Sequence, residues 1–259
     1  MLDSTKNKRG GCSACRDGDA LDFSISMAFQ PIVDMETGDV FAQEALVRGP
    51  GNEPAGKIFR RVNDDNRYQF DQACRVRAIE LAASLGMESL LSINFMPNAV
   101  YQPERCIRTT LQAAEAHNFP IERIIFEITE SEKIEDHKHL RDIVLHYQER
   151  GFLTAIDDFG AGYSGLGLLA ELQTDLVKLD MALIRDIHRD KPRQAIVRGT
   201  VQTCDDLGIR VIAEGVESRE ELETLRQAGI RLFQGYYFAR PAFEGQARVP
   251  PDRLVVAPD

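Results

Sequence analysis

What most limits the fold of this chain is an alternation of short apolar runs with helical stretches. Runs at 90–95, 123–128, 152–156, 176–179, 210–213 and 231–233 have strand length, and helical patterns lie between them at 103–117, 134–150, 165–170, 192–207 and 218–228. The helix ends carry their own punctuation. Pro103 opens the first of these helices, Gly151 and Gly208 follow two others, and Ser218 with Glu221 three positions on forms a capping box. Strands that alternate with helices pair in parallel, because each helical crossover returns the chain to the same end of the sheet. With 259 residues, 43% of them hydrophobic, the chain can bury the core of one α/β barrel, which takes about 250 residues.

The opening breaks this rhythm. Residues 23–33 and 40–47 are both strand-like, and only a Met-Glu-Thr-Gly turn at 35–38 separates them, so the two must run antiparallel. Helical stretches at 55–62 and 70–85 then lead into the regular alternation. One domain over 21–248 is expected, with a loose polar leader at 1–20 and a polar tail at 249–259. The net charge of −10 argues against binding a nucleic-acid polymer, but leaves room for a small anionic ligand held through bound cations. No apolar run approaches the length of a membrane span, about 18 residues, and no hydrophobic signal core is present, so a cytoplasmic protein is expected. Five dispersed cysteines do not suggest a disulfide framework. Cys12 and Cys15 have CxxC spacing, yet no second CxxC or CxxH completes four metal ligands, and the pair is read as dispensable.

Asp157 and Asp158 follow the apolar run at 152–156 and precede Phe159-Gly160-Ala161-Gly162-Tyr163-Ser164. A strand exit can hold two carboxylates side by side, and glycines allow a close backbone approach. The stretch therefore reads either as an active-site loop or as an ordinary βα turn with Ser164 capping the next helix. The other strand ends decide between these. In a parallel barrel the C-terminal strand ends all face one site. Polar residues recur there: Glu44 on the second strand, Asn94 on the third, Glu127 on the fourth, Asp157 and Asp158 on the fifth, Lys178 on the sixth, Glu214 on the seventh and Gln234 on the eighth. Each alone has a purely structural explanation; together they describe a site. Carboxylates outnumber the lysine, buried charge is costly unless compensated, and an oxygen-rich set selects Mg²⁺ or Mn²⁺ over zinc. Glu130 lies past its strand, in the following loop, and reads as a tether for the Asp157 loop.

Glu44-Ala45-Leu46, followed by Val47-Arg48, belongs to a series of motifs: FQPIV at 29–33, SINF at 92–95, FEITES at 126–131, IDDFGAGYS at 156–164, LVKLD at 176–180, AEGVE at 213–217 and FQGYYFARP at 233–241. In these motifs and their order the chain resembles the EAL domain, the cyclic di-GMP-specific phosphodiesterase family, from about residue 24 to residue 243. The resemblance implies a modified TIM (β/α)8 barrel with an antiparallel first strand. It also implies hydrolysis of cyclic di-GMP to linear pGpG by a water activated between two Mg²⁺ or Mn²⁺ ions. Carried over residue by residue, it assigns Glu44, Asn94, Glu127 and Asp157 to one ion, Asp157 and Asp158 to the other, and Glu214 to the second ion or its water. Lys178 would contact the hydrolytic water, Glu217 would position Lys178, and Gln234 would support the site. Gln30 and Arg48 would contact substrate, Leu46 and Pro241 would line the nucleotide pocket, and Glu130 would hold the catalytic loop and through it a homodimer. Gly49 departs from the aromatic residue that many members carry, and residues 48–72 look more like the EAL domains coupled to flavin-based blue-light sensors. Some EAL-like domains keep the fold without turnover, so the alternative function is a catalytically silent cyclic di-GMP receptor or protein-interaction module. Regulatory protein partners are compatible with either.

Overall fold

The computed structural model describes residues 21–100, 102–129, 137–162 and 165–254. Its strands are β1 Ser26–Asp34, β2 Asp39–Arg48, β3 Leu90–Asn94, β4 Ile124–Thr129, β5 Leu153–Phe159, β6 Leu176–Leu179, β7 Arg210–Ala213, β8 Leu232–Gln234 and β9 Ala242–Phe243. From β2 to β8 the strands are neighbours in chain order and parallel. β1 closes the ring, antiparallel to both β2 and β8, which gives the modified TIM barrel that the short 35–38 turn requires. Gly38, at φ 78°, completes that turn, and Asp34 Oδ1 accepts the Glu36 N–H at 2.8 Å.

β9 was not foreseen. β8 pairs with β1 only at Ile32–Asp34, which leaves the site end of that edge open, and β9 takes it up by pairing with Ala28 and Phe29. Two residues carry no periodicity of their own; the open edge, rather than their pattern, makes them a strand.

The helices are α1 Ala55–Phe59, α2 Arg67–Ser84, α3 Pro103–Cys106, α4 Arg108–Ala116, α5 His137–Glu149, α6 Gly165–Glu171, α7 Met181–Ile184, α8 Lys191–Leu207, α9 Arg219–Gln227 and α10 Pro251–Leu254. The helix expected over 103–117 is thus divided at Ile107, and the one-turn α7 is an addition. Within the stretch set apart as a tail, α10 places Arg253 over the Tyr237 ring at 4.2 Å and packs Leu254 against the core. Cys12, Cys15, Glu130, Tyr163 and Ser164 lie outside the described residues. Cys74, Cys106 and Cys204 are buried and form no disulfide. Among the described residues no helix is long and apolar enough to cross a membrane.

Two cores flank the sheet. The larger packs the outer strand faces against the helices, and the smaller fills the barrel with Ile32, Ala42, Ile125, Ala155, Leu176, Ile212 and Leu232, with Leu90 against them. This inner apolar layer sets the level at which the functional residues begin.

Candidate metal centre

Successive side chains of a strand point to opposite faces, so residues two apart line the same face. Two positions toward the barrel mouth from each member of the inner apolar layer stand Gln30, Glu44, Ser92, Glu127, Asp157, Lys178, Glu214 and Gln234. On β1 the count runs backwards because that strand is reversed. One pleat of the barrel therefore changes from wholly apolar to wholly polar.

Lys178, 1% exposed, is at the centre of this layer. Its Nζ lies 2.5 Å from Glu214 Oε1, 3.0 Å from Glu127 Oε2, 3.0 Å from Asp157 Oδ1 and 3.5 Å from Glu44 Oε2. Both oxygens of Glu44 are held by amides, Oε1 by Asn94 Nδ2 at 3.0 Å and Oε2 by Gln234 Nε2 at 2.7 Å. Asn94 donates through Nδ2, so its carbonyl oxygen remains available as a ligand. Ser92 donates to Glu127 Oε1 at 2.5 Å.

Alternation should send Asp157 and Asp158 to opposite faces of β5. It does not, because Asp158 adopts a left-handed φ of 55° and the pairing with β6 shifts register between Ile156 and Phe159. The bulge turns the second carboxylate back toward the first. Two overlapping triads result: Glu44, Glu127 and Asp157, and Asp157, Asp158 and Glu214, each offering ligand atoms within 4.8 Å of one another. Asp157 Oδ1 is buried without a hydrogen-bond donor aimed at it, although it is in ion-pair range of Lys178. Hard oxygen donors at this spacing, one of them short of a donor, fit a divalent cation.

One ammonium cannot neutralise four carboxylates. Burial pulls the Lys178 pKa down, but Asp157, Glu127, Glu214 and Glu44 outweigh it and hold the lysine charged. Burial and the neighbouring acids push Glu127 and Glu214 above the ordinary carboxylate range against the opposing pull of Lys178. Asp158 rises to about 6, from burial first and then from Asp157 and Asp180. A cation must displace the protons these groups keep, so Mn²⁺ affinity is expected to rise between about pH 6 and about pH 8, by up to about tenfold per unit for each proton released. Titration calorimetry at the two pH values tests this, and equal affinity at both would count against the carboxylates as ligands.

Beside the triads opens a cavity of 640 Å³, whose lining includes Asn94, Asp157 and Asp158 together with Leu46, Phe59, Arg67 and Phe70. Phe59 meets Phe70 edge-on at 5.7 Å. Of the residues expected to touch substrate, Leu46 lines this cavity, whereas Gln30, Arg48 and Pro241 do not. Gln30 donates to the Ala239 carbonyl at 3.2 Å, Arg48 Nη1 donates to the Val47 carbonyl at 2.8 Å, and Pro241 immediately precedes β9.

Glu217 is placed elsewhere than expected. Its carboxylate pairs with Arg185 Nη1 at 2.7 Å, and it is not among the acids within 4.0 Å of Lys178. Glu214 N still bonds the Leu179 carbonyl and so continues β7 by one residue, whereas Glu217 follows the left-handed Gly215, φ 67°, where strand parity no longer directs a side chain into the barrel. Ser92, by contrast, belongs to the site and was missed, although its place two residues before Asn94 puts it on the inward face. Gly235 is dictated by the packing around the site: a Cβ there would lie 2.0 Å from the Val216 carbonyl oxygen, so β8 can leave against the Glu214 loop only as glycine.

A match to the family described as "EAL domain" spans residues 20–241. The chain is 34% identical over 219 residues to the blue light- and temperature-regulated antirepressor BluF of Escherichia coli K12, covering 84% of this chain and 54% of that protein. It is 35% identical over 167 residues to the cyclic di-GMP phosphodiesterase PdeR of the same organism, covering 64% and 25%. Among solved structures, a standalone versatile EAL protein from Vibrio cholerae O395 in its c-di-GMP-bound form is 57% identical, with a TM-score of 0.89 over 92% of this chain and 100% of that one. Klebsiella pneumoniae BlrP1, in a manganese and cyclic di-GMP complex at pH 9.0, is 37% identical with a TM-score of 0.81, over 87% and 58%. The chain spans about half or less of the length of the curated relatives it matches.

Proposed function

This chain belongs to the EAL domain family, and on that footing we propose that it hydrolyses cyclic di-GMP to linear pGpG with two divalent cations, Mg²⁺ or Mn²⁺. The observation that carries this reading is the pair of carboxylate triads sharing Asp157, which with Asp158 lines a 640 Å³ cavity. Glu44, Asn94, Glu127 and Asp157 would hold one ion, and Asp157, Asp158 and Glu214 the other. When bound, two such ions polarise a phosphodiester and lower the pKa of an attacking water. Lys178, within 3.5 Å of four of the carboxylates that would hold the ions, is assigned to orient that water. Gln234 and Asn94 fix both oxygens of Glu44 and so set its direction. Leu46 supplies apolar wall for the nucleotide. Gln30, Arg48 and Pro241 would reach substrate from the rim, Glu217 would act through the loop it shares with Glu214, and Glu130 would anchor the Asp157 loop and with it a homodimer. Cys74, Cys106 and Cys204, buried and unbridged, support a cytoplasmic setting.

Incubation of the purified protein with cyclic di-GMP and Mn²⁺, followed by separation of the products, should yield pGpG. Activity should vanish on exhaustive chelation and be poorly restored by Ca²⁺, whose larger radius prefers more ligands at longer distances. Full turnover after chelation would reject the metal assignment. The 34% identity to an antirepressor supports a second reading, a receptor or protein-interaction module that binds cyclic di-GMP without cleaving it. Stoichiometric binding with no product would select that one.

A further inference from the structure

We propose that Glu221 is a positioning residue for the second triad: its carboxylate ties the loop carrying Glu214 to the segment that leaves β6 and Lys178. The role rests on the metal-dependent reading above. Glu221 stands in the first turn of α9 and is 2% exposed. In a capping box the acid needs only to return one hydrogen bond to the N-cap backbone. That bond is present, from Ser218 N to Glu221 Oε2 at 3.1 Å, and Glu221 N bonds Ser218 Oγ at 3.2 Å. Two more have nothing to do with starting a helix. Oε2 also accepts the Glu217 N–H at 2.9 Å, inside the Glu214 loop, and Oε1 accepts the Asp186 N–H at 2.9 Å from a segment 35 residues away.

Asp186 sits in a left-handed conformation, φ 55°, uncommon for a residue with a side chain but tolerated by aspartate, which turns its N–H toward the Glu221 carboxylate. It lies just beyond α7, whose N-cap, Asp180, is two residues past Lys178. At the other end of the same contact Gly215, φ 67°, has no room for a Cβ, which would lie 2.6 Å from Met181 Cβ. The Glu214 loop is therefore fitted against α7 at Gly215 and tied to it at Glu221. The contact that this pairing sets is the 2.5 Å approach of Glu214 Oε1 to Lys178 Nζ. Metal ligands tolerate displacements of only a few tenths of an ångström, so a loop released from its tether loses Glu214 as a ligand before it unfolds.

Three variants test this by Mn²⁺ titration calorimetry, thermal melting and turnover. Glu221→Ala should weaken Mn²⁺ at the Asp157, Asp158 and Glu214 triad by about tenfold, the usual effect of losing an outer support, and leave the Glu44, Glu127 and Asp157 triad within about twofold. Glu221→Gln sets an NH₂ group against one of the backbone donors and should weaken the same site by a smaller factor, about threefold. It carries the test if the alanine variant does not fold. Ser218→Ala removes the cap and lowers the melting temperature, but should leave both Mn²⁺ affinities unchanged. Parent-like Mn²⁺ binding in the Glu221 variants, or equal weakening by Ser218→Ala, overturns the proposal. A parent protein that binds Mn²⁺ but yields no pGpG overturns the hydrolytic reading alone, since the Mn²⁺ readout does not depend on turnover.

Discussion

Asp157→Asn is expected to abolish cyclic di-GMP hydrolysis and to weaken both cation sites at once. Asp157 is the one carboxylate common to the two triads, so its replacement removes a charged ligand from each. Asparagine keeps the volume and one carbonyl oxygen, and the barrel should remain folded. The fall in turnover should be at least about a hundredfold to a thousandfold, the scale of losing one charge-stabilising group in an active site. In the metal-free protein the same change relieves repulsion, because Asp157 helps to raise Glu127, Asp158 and Glu214. The melting temperature without metal should therefore hold or rise while Mn²⁺ binding collapses. An Asp157→Asn enzyme with parental turnover would show that the site has been assigned to the wrong residues.

Lys178→Met should fail in the opposite sense. Its ammonium is within 3.5 Å of four carboxylates and is the cation that balances them in the absence of metal. Truncating one partner of a buried ion pair costs about 3–5 kcal/mol, because the remaining charge has no compensation. The carboxylates respond by keeping their protons. Acids whose folded pKa lies above the unfolded value destabilise the fold as pH climbs past the unfolded value. The loss of stability should accordingly be small near pH 5 and grow toward about pH 8. Added Mn²⁺ supplies the missing positive charge, so it should raise the melting temperature of Lys178→Met more than that of the parent, and bind at least as tightly. Turnover should still fall, because nothing then orients the water. Equal stability and equal turnover in variant and parent, with or without Mn²⁺, would remove Lys178 from both roles.

These two residues mark the boundary between what was legible in the chain and what was not. That strands alternate with helices, that the first two strands must be antiparallel and that polar residues gather at the strand ends are local properties. Each follows from run length, turn length or the two-residue period of a strand, and each could be read without knowing where any other strand lies. The same period could have found Ser92, two positions before Asn94 on the inward face.

The tertiary structure decided how those side chains meet. Lys178 at the centre of four acids depends on the register of strands distant in sequence and on closure of the ring by β1. The shared role of Asp157 and Asp158 depends on a left-handed residue in a bulge, which no alternation rule predicts. Glu217, grouped with Glu214 by its motif, turns to Arg185 because the left-handed Gly215 between them ends the strand's alternation. Glu221, visible in the chain only as half of a capping box, acquires its long-range bond to Asp186 only when α7 packs beside α9's approach. The sequence by itself determined which residue types face the barrel mouth, because parity is a property of each strand alone. Distances between strands are properties of the closed barrel, and they decide which of those residues share a charge, a proton or a metal ion.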